Sequence, residues 1–471
     1  MNAIVRPYET TRLTPGFRPW RAEGRAVVAL AVPLILTQLA QMALHTTDVV
    51  MMGWLGPDSL AAGVLAFNLN AVFLFFGIGV LAAVAPMIAQ AIGARRFRMV
   101  RRSVRQGLWV AVAIATPAIP VIWHTGTILT VLGQDPAIAA AGEAYLRAVV
   151  WGFVPALGYV VLSNFLAAHS RPRAVTVVTV TAIGINALAD YALMFGHFGM
   201  PRLGLVGAGV ATALVDSFLF LSLLGFVLSD RRFRRYHILG RIWRPDWPRF
   251  VEIFRVGLPI AGWMLAEIGL FVTGGLLLGL IGTTELAAHA IALQCAAIVY
   301  MVPFGLAQAA TVRVGLAAGA GDHAGIARAG WTPLALACVF ALLPAMVFLL
   351  WSPGLVALFL DPGEPENTAA ARLAAQLLVI AAGFQLFDAA QSVATGALRG
   401  LKDTRVPMLL AVLGYWGFGF TSAVLLAFVL DYGAIGVWIG LALGLAVAAA
   451  LLNWRLRSRI RDLTAPPTAL I

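Results

Sequence analysis

Asp48, Glu267 and Asp388 each lie inside a long apolar run of this 471-residue sequence, away from its basic loops. An acid near the middle of a bilayer costs roughly 2.5–3.5 kcal/mol on insertion scales, so it persists where it faces a bundle interior, a water-filled cavity or a partner. The chemistry such a group offers is reversible binding of a cation or a proton. Asp48 is preceded by Gln38, Gln41 and His45, and spacings of three, four and three put all four on one helical stripe. Gln385, Asp388, Ser392 and Thr395 repeat that spacing and predict a second wet stripe. Glu267 has little polar company on its own run, with Trp263 one turn before it and Gly274 two turns after it. Gln41, His45, Gln294, Gln385 and Ser392 are the candidate walls of a polar cavity. The bland alternative is that these groups only bond neighbouring helices. Asp48, toward the outer end of its run, could also reach headgroups, and His45 could be a plain interhelical hydrogen bond. Asn186 and Asp190, one turn apart, and Asp216 are further intramembrane candidates with no assigned role. No metal-ligand spacing, phosphate loop or nucleophile elbow occurs, which argues against an ATP-driven pump or a soluble-type hydrolase.

The elements that must position these residues are membrane helices. With 61% hydrophobic and 11% charged residues and a mean hydropathy of +0.89, the chain has more apolar surface than a soluble core of this length buries. Its long apolar segments are each near the twenty or so residues that cross about 30 Å of hydrocarbon. A backbone facing lipid must satisfy its own hydrogen bonds, which requires helices, and the segments lack the alternation of a barrel strand. Twelve spans are predicted near 26–52, 60–88, 104–124, 144–168, 174–196, 206–228, 256–281, 286–316, 331–352, 373–398, 406–430 and 435–454.

Numbering the spans in order leaves all but three of the 33 basic residues on one side; only Arg147, Arg202 and Arg372 fall opposite. The positive-inside rule therefore predicts cytoplasmic termini and a cytoplasmic central loop. The net charge of +12 follows from this bias, with loops that meet anionic headgroups, and no nucleic-acid partner is expected. Residues 1–25 are polar with five Arg, and the first apolar run exceeds a signal h-region, so the first span is expected to be retained. Cys295 and Cys338 lie inside spans, and neither a disulfide nor a structural metal is expected.

The second half repeats the first at an ungapped offset that lays Pro33 on Pro259, Gly53 on Gly279, Gly79 on Gly305 and Gly93 on Gly319. One offset held across two consecutive spans and their loop indicates duplication. Because six spans separate the copies, they are parallel repeats about an axis along the membrane normal, with a site between them. The expected organisation is an arm at 1–25, an N-lobe at 26–228, a basic linker at 229–255, a C-lobe at 256–454 and a tail at 455–471, all α, with two six-helix lobes forming a V-shaped cleft. Pro33, Pro86, Pro117, Pro120, Pro155, Pro259, Pro303, Pro333 and Pro344 lie inside spans and can bend them.

At the carboxylate motifs the sequence resembles the multidrug and toxic compound extrusion family, most closely its NorM-like branch. The likeness rests on His45 to Ala62, Phe195 to Thr212, Met264 to Phe271 and, most specifically, Gln385 to Thr404 (QLFDAAQSVATGALRGLKDT). It implies a twelve-helix, V-shaped antiporter in the cell inner membrane, monomeric and without cofactor, exporting cationic drugs and dyes against Na+ or H+. Position by position, Asp48 matches the family's first-helix acid, Glu267 its seventh-helix acid and Asp388 its tenth-helix acid. The latter two would form the coupling-cation site, able to take Na+, with Asp48 implicated in coupling in the N-lobe. A lipid-linked oligosaccharide flippase of the same wider superfamily is the alternative, but it would need cationic side chains in the cavity, and Arg inside the spans is nearly absent apart from Arg147 and Arg313 near span ends. A membrane enzyme acting on lipids would need a catalytic cluster, whereas His124, His169 and His197 are scattered.

Overall fold

A computed structural model describes residues 17–361 and 364–464, so most of the expected N-terminal arm and the end of the tail lie outside the described residues. Among the described residues twelve helices are long and apolar enough to cross a membrane: α1 Pro19–Trp54, α2 Pro57–Gly93, α3 Phe97–Trp123, α4 Pro136–Ala168, α5 Arg173–Phe195, α6 Leu205–Ser229, α7 Trp247–Ile281, α8 Thr283–Ala320, α9 His323–Val356, α10 Pro365–Gly400, α11 Arg405–Val429 and α12 Gly433–Leu463. Each corresponds to one span read from the sequence.

The helices overrun the apolar runs where charge begins, because the backbone ladder does not stop at the hydrocarbon edge and Arg, Glu and Ala are good helix formers. Thus α1 starts before residue 26, α7 starts at Trp247 inside the stretch expected to be linker, and α12 continues to Leu463. What remains of the linker holds a four-residue helical turn, Arg231–Arg234, capped by Asp230, whose side chain accepts from the Arg232 amide. The middle of α2 breaks at Ala82 and Ala83, just before Pro86, which has no N–H for the ladder. In α9 the backbone leaves helical geometry at Trp351, two residues before Pro353. Two stretches of α11, Leu413–Phe420 and Leu425–Val429, are wound as π-helix.

Two hydrophobic cores correspond to the two lobes, with an exchange at the inner ends of their first helices. Val27, Leu30, Ala31 and Leu34 of α1 pack into the core built by α7 to α12. Ile253, Val256, Ile260 and Ala261 of α7 pack into the core of α2 to α6. Val27 and Ile253, Leu30 and Val256, and Leu34 and Ile260 are related by the same offset as the internal repeat, so the lobes are joined by a reciprocal crossover.

The backbone contacts between lobes obey the same relation. A Cβ added to Gly79 would lie 2.5 Å from Ala261 Cα, and one added to Gly305 would lie 3.0 Å from the Ile35 amide nitrogen. A Cβ on Gly93 would meet the Leu316 carbonyl oxygen at 2.1 Å, and one on Gly319 would meet that of Gln90 at 2.1 Å. Each pair maps onto the other under the offset, which is the signature of a two-fold axis passing between the lobes. Only a residue without Cβ permits so close an approach.

These approaches run from mid-membrane to the face that carries the basic loops, where polar bonds reinforce them. Glu23 of α1 and Arg313 of α8 form a two-pronged ion pair at 2.5 and 2.8 Å. Gln90 donates to the Gly400 carbonyl at 2.8 Å. Glu252 of α7 joins Arg249 at 2.5 Å and Lys402 at 2.9 Å, and Arg249 also donates to Ser103 of α3 at 2.9 and 3.1 Å. The two lobes are therefore joined on the basic face.

Arg102 grips Asp246, the residue before α7, through both oxygens, and its guanidinium holds the Asp246 carboxyl below the usual carboxylate range. Because folding lowers this pKa, Asp246 adds stability above its unfolded pKa of about 3.9, and that contribution is lost as pH falls through the lower folded value. Asp246→Asn is predicted to lower stability at pH 7 by about 1 kcal/mol, since Arg102 is 40% exposed and screening weakens the pair. The difference from the parent should narrow as pH falls below about 3.9; thermal unfolding of the two proteins between pH 7 and pH 3 measures it, and a gap that stays constant with pH would contradict it.

Candidate functional site

The seventh- and tenth-span acids meet inside the C-lobe. Asp388 and Gln391 are one turn apart on α10 and both buried. The Gln391 amide nitrogen donates to Glu267 Oε1 at 2.7 Å and to Asp388 Oδ1 at 3.1 Å. On the other side Tyr415 donates its hydroxyl to Gln391 Oε1 at 2.6 Å, with Glu267 Oε1 at 3.3 Å. Tyr415 lies in the first π-wound stretch of α11, where the wider turn changes which side chains point at the neighbouring helix. Trp416 fixes that helix against α7 by donating to the Ala266 carbonyl at 3.1 Å.

Gln391 fixes the electrostatics. Its amide nitrogen has two protons and spends them on two different carboxylates, so the accepting oxygens are no more than about 6 Å apart. Two unit charges at that separation repel by about 3 kcal/mol at an effective dielectric of 20. A proton or a monovalent cation placed between them relieves that repulsion, and each carboxylate keeps a second oxygen for it. The Arg399 guanidinium lies over the Trp263 ring, 4.4 Å from its centroid, toward the basic end of the same lobe.

A second cluster lies in the N-lobe. Asn186 of α5 donates to Asp48 Oδ1 at 2.9 Å and to Asp190 Oδ2 at 3.1 Å. Asp190 and Asn186 are buried. Asp48 thus turns into its lobe and not toward headgroups, and one amide again bridges two acids from two helices. The two clusters repeat a motif, carboxylate and carboxylate tied by a carboxamide, without repeating the residues that build it.

The structure separates the five expected cavity-wall residues. Gln41 is half-buried on α1, His45 is exposed and stacked on Phe67 with ring centroids 4.1 Å apart, and Gln294 is exposed on α8. Gln385 and Ser392 are instead packed inside the C-lobe. Gln385 donates to the Ala296 carbonyl at 3.2 Å and Ser392 shares a 3.2 Å hydrogen bond with Tyr300, so both face α8 and not the cleft. A polar stripe satisfied by a neighbouring helix reads the same in sequence as one satisfied by water.

Spacing does not mark Tyr415 or the Asn186 bridge, because those contacts are between helices; Gln391, three residues from Asp388, is the one member that its position in the sequence could reveal. The two arginines near span ends are already engaged. Arg147 pairs with Glu143 and lies 5.4 Å from the centroid of Trp123, and Arg313 pairs with Glu23. Neither is offered to a pyrophosphate in the cleft.

Comparison with known proteins places this geometry among relatives. The MatE family model matches residues 33–192 and 259–425, one segment in each lobe. The chain is 48% identical over 454 residues to a probable multidrug resistance protein NorM of Mesorhizobium japonicum, covering 96% of each. It is 44% identical over 452 residues to a protein of the same description from Brucella suis, again covering 96% of each. Among solved structures it resembles the eukaryotic MATE transporter AtDTX14, with a TM-score of 0.82, 22% identity and coverage of 94% of this chain and 98% of that one. It also resembles a MOP superfamily transporter from Pyrococcus furiosus, with a TM-score of 0.83, 21% identity and coverage of 97% and 100%.

Proposed function

The chain belongs to the MatE family, and from that premise we propose that it is a multidrug efflux transporter that exports cationic organic compounds by antiport with Na+ or H+. The observation that carries the proposal is the pair of carboxylates from α7 and α10 held on one glutamine amide, Glu267 and Asp388. It is a transporter and not an enzyme.

The exchange follows from the charge of the site. When the V is open away from the basic face, Glu267 and Asp388 without a partner cation make the C-lobe wall strongly negative, which favours a positively charged drug in the cleft. A proton or Na+ entering from the open side neutralises part of that charge, so the drug is held less tightly and leaves outward. The lobes then rock about the glycine contacts of α2 and α8, and the coupling cation leaves on the basic side. Such a cycle needs affinity that differs between states, because a ligand bound equally in both shifts nothing. One charge moving inward across 100 mV supplies about 2.3 kcal/mol. In this reading the basic face is cytoplasmic, the membrane is the cell inner membrane, and one chain suffices because both lobes and the cleft belong to it.

Purified protein in proteoliposomes, loaded with a cationic dye and given either a Na+ gradient or a pH gradient, tests the proposal. At least one gradient should accelerate dye movement severalfold over a gradient-free control. Equal rates in all three conditions would overturn antiport.

A further inference from the structure

Asp216 is an acid of the N-lobe that the exchange cycle above does not use. It lies in the middle of α6, eleven residues inside Leu205. Two close helix contacts set its depth. Gly207 of α6 packs on the Leu193 carbonyl of α5, so Asp190 is level with about residue 210. Asp216 then lies some six residues further toward the basic face, about 9 Å at 1.5 Å per residue. On its other side α6 meets α4 through small residues. A Cβ on Gly209 would lie 2.5 Å from the Tyr145 carbonyl oxygen, and one on Gly152 would lie 3.1 Å from Asp216 Oδ2. Gly152 is what leaves room for the carboxylate between the helices.

Among the described residues no side chain or backbone group hydrogen-bonds the Asp216 carboxylate, and its surface is only half-buried. A carboxylate in a span without a protein donor must be satisfied by water or by a cation. Asp48 lies within its electrostatic reach. Tyr145, whose hydroxyl lies beside Thr212 one turn from Asp216, feels Asp48, Asp190 and Asp216 together, and Tyr159 of α4 feels Asp216 as well. The titratable groups within its reach are therefore Asp48 and two phenols on α4.

We propose that Asp216 is a second cation station of the N-lobe, taking the proton or monovalent cation held between Asp48 and Asp190 one layer further toward the basic face. This rests on the exchange reading. The pair above binds the cation while the cleft is open; occupancy of Asp216 moves that charge inward along α6 and returns the pair to its cation-free state. A proton making this step leaves one carboxyl oxygen and arrives on another through water, with no other bond changed.

Reconstituted parent, Asp216→Asn and Asp216→Glu proteins test it by dye efflux under Na+ and pH gradients and by dye affinity in detergent. If the parent shows no gradient-driven efflux, it is the antiport reading that fails. Given an active parent, Asp216→Asn should lose at least tenfold in efflux while dye affinity stays within about twofold, and Asp216→Glu should restore a substantial part of the rate. An Asn variant that transports like the parent, or a Glu variant no better than Asn, overturns the proposal. Labelling of the unaltered protein with a hydrophobic carbodiimide, which reacts with protonated carboxyls in apolar surroundings, needs no variant to fold. The peptide carrying Asp216 should be labelled at least fivefold less when pH or Na+ is raised; labelling indifferent to both also overturns it.

Discussion

Dye efflux driven by the active gradient is expected to fall roughly a hundredfold when Glu267 becomes Gln or Asp388 becomes Asn. Each change is nearly isosteric and keeps an acceptor oxygen for the Gln391 amide, so the hydrogen-bonded frame of Gln391 and Tyr415 stays in place. What is lost is one of two negative charges no more than about 6 Å apart, an interaction of at least about 3 kcal/mol at an effective dielectric of 20, and that energy corresponds to about two orders of magnitude in cation affinity. The contrast with stability makes the prediction specific: removing a buried charge of a repelling pair should leave thermal unfolding unchanged or slightly raised. Variants that export dye at the parental rate under both gradients would remove Glu267 and Asp388 from the coupling site.

Gly319→Leu is expected to open the basic face. The contact at that point is backbone against backbone, with an added Cβ only 2.1 Å from the Gln90 carbonyl oxygen, so no flexible side chain is there to give way. Overpacking of this kind costs about 1–3 kcal/mol, which biases an equilibrium between closed and open lobes by a factor of about 5 to 150. Gly93→Leu should act alike, because the two-fold relation gives it the same 2.1 Å clash with the Leu316 carbonyl. The readout is maleimide labelling of an Ala89→Cys probe, a position fully buried at this seam, in a background with Cys295 and Cys338 replaced. Labelling from the basic side should rise at least fivefold and gradient-driven efflux should fall by a similar factor. Unchanged labelling in both glycine variants would mean that the seam does not hold the closed state.

Span number, the basic side and the internal repeat were legible in sequence because each depends on a long-range average: hydropathy over twenty residues, Arg over whole loops, one offset over two spans. The crossover of the inner ends was not. The offset says that Val27 corresponds to Ile253, but not that each packs into the opposite core. For the site, the three acids stood out because charge is costly in hydrocarbon, whereas the groups that hold them are amides and phenols of ordinary cost on other helices. The stripe through Gln385, Asp388, Ser392 and Thr395 skips Gln391. At 100° per residue it sits only 60° around the helix from Asp388, close enough for its amide to reach both acids. The same stripe misplaced Gln385 and Ser392, since its polarity faces α8 and not the cleft. Position along α1 puts Asp48 near the outer interface, whereas its hydrogen bond to Asn186 is a tertiary fact with no trace in the spacing.

The measurement that bears most directly on exchange is the affinity of the purified protein for a fluorescent cationic dye, titrated at fixed ionic strength against Na+ and, separately, against pH. If one cation site repels a positive drug, the dye dissociation constant should rise at least fivefold as the coupling cation saturates, and cation affinity should weaken by the same factor when dye is bound. That linkage should vanish in Asp388→Asn. A dye affinity that does not change with either cation, in a protein that still binds dye, would contradict the account.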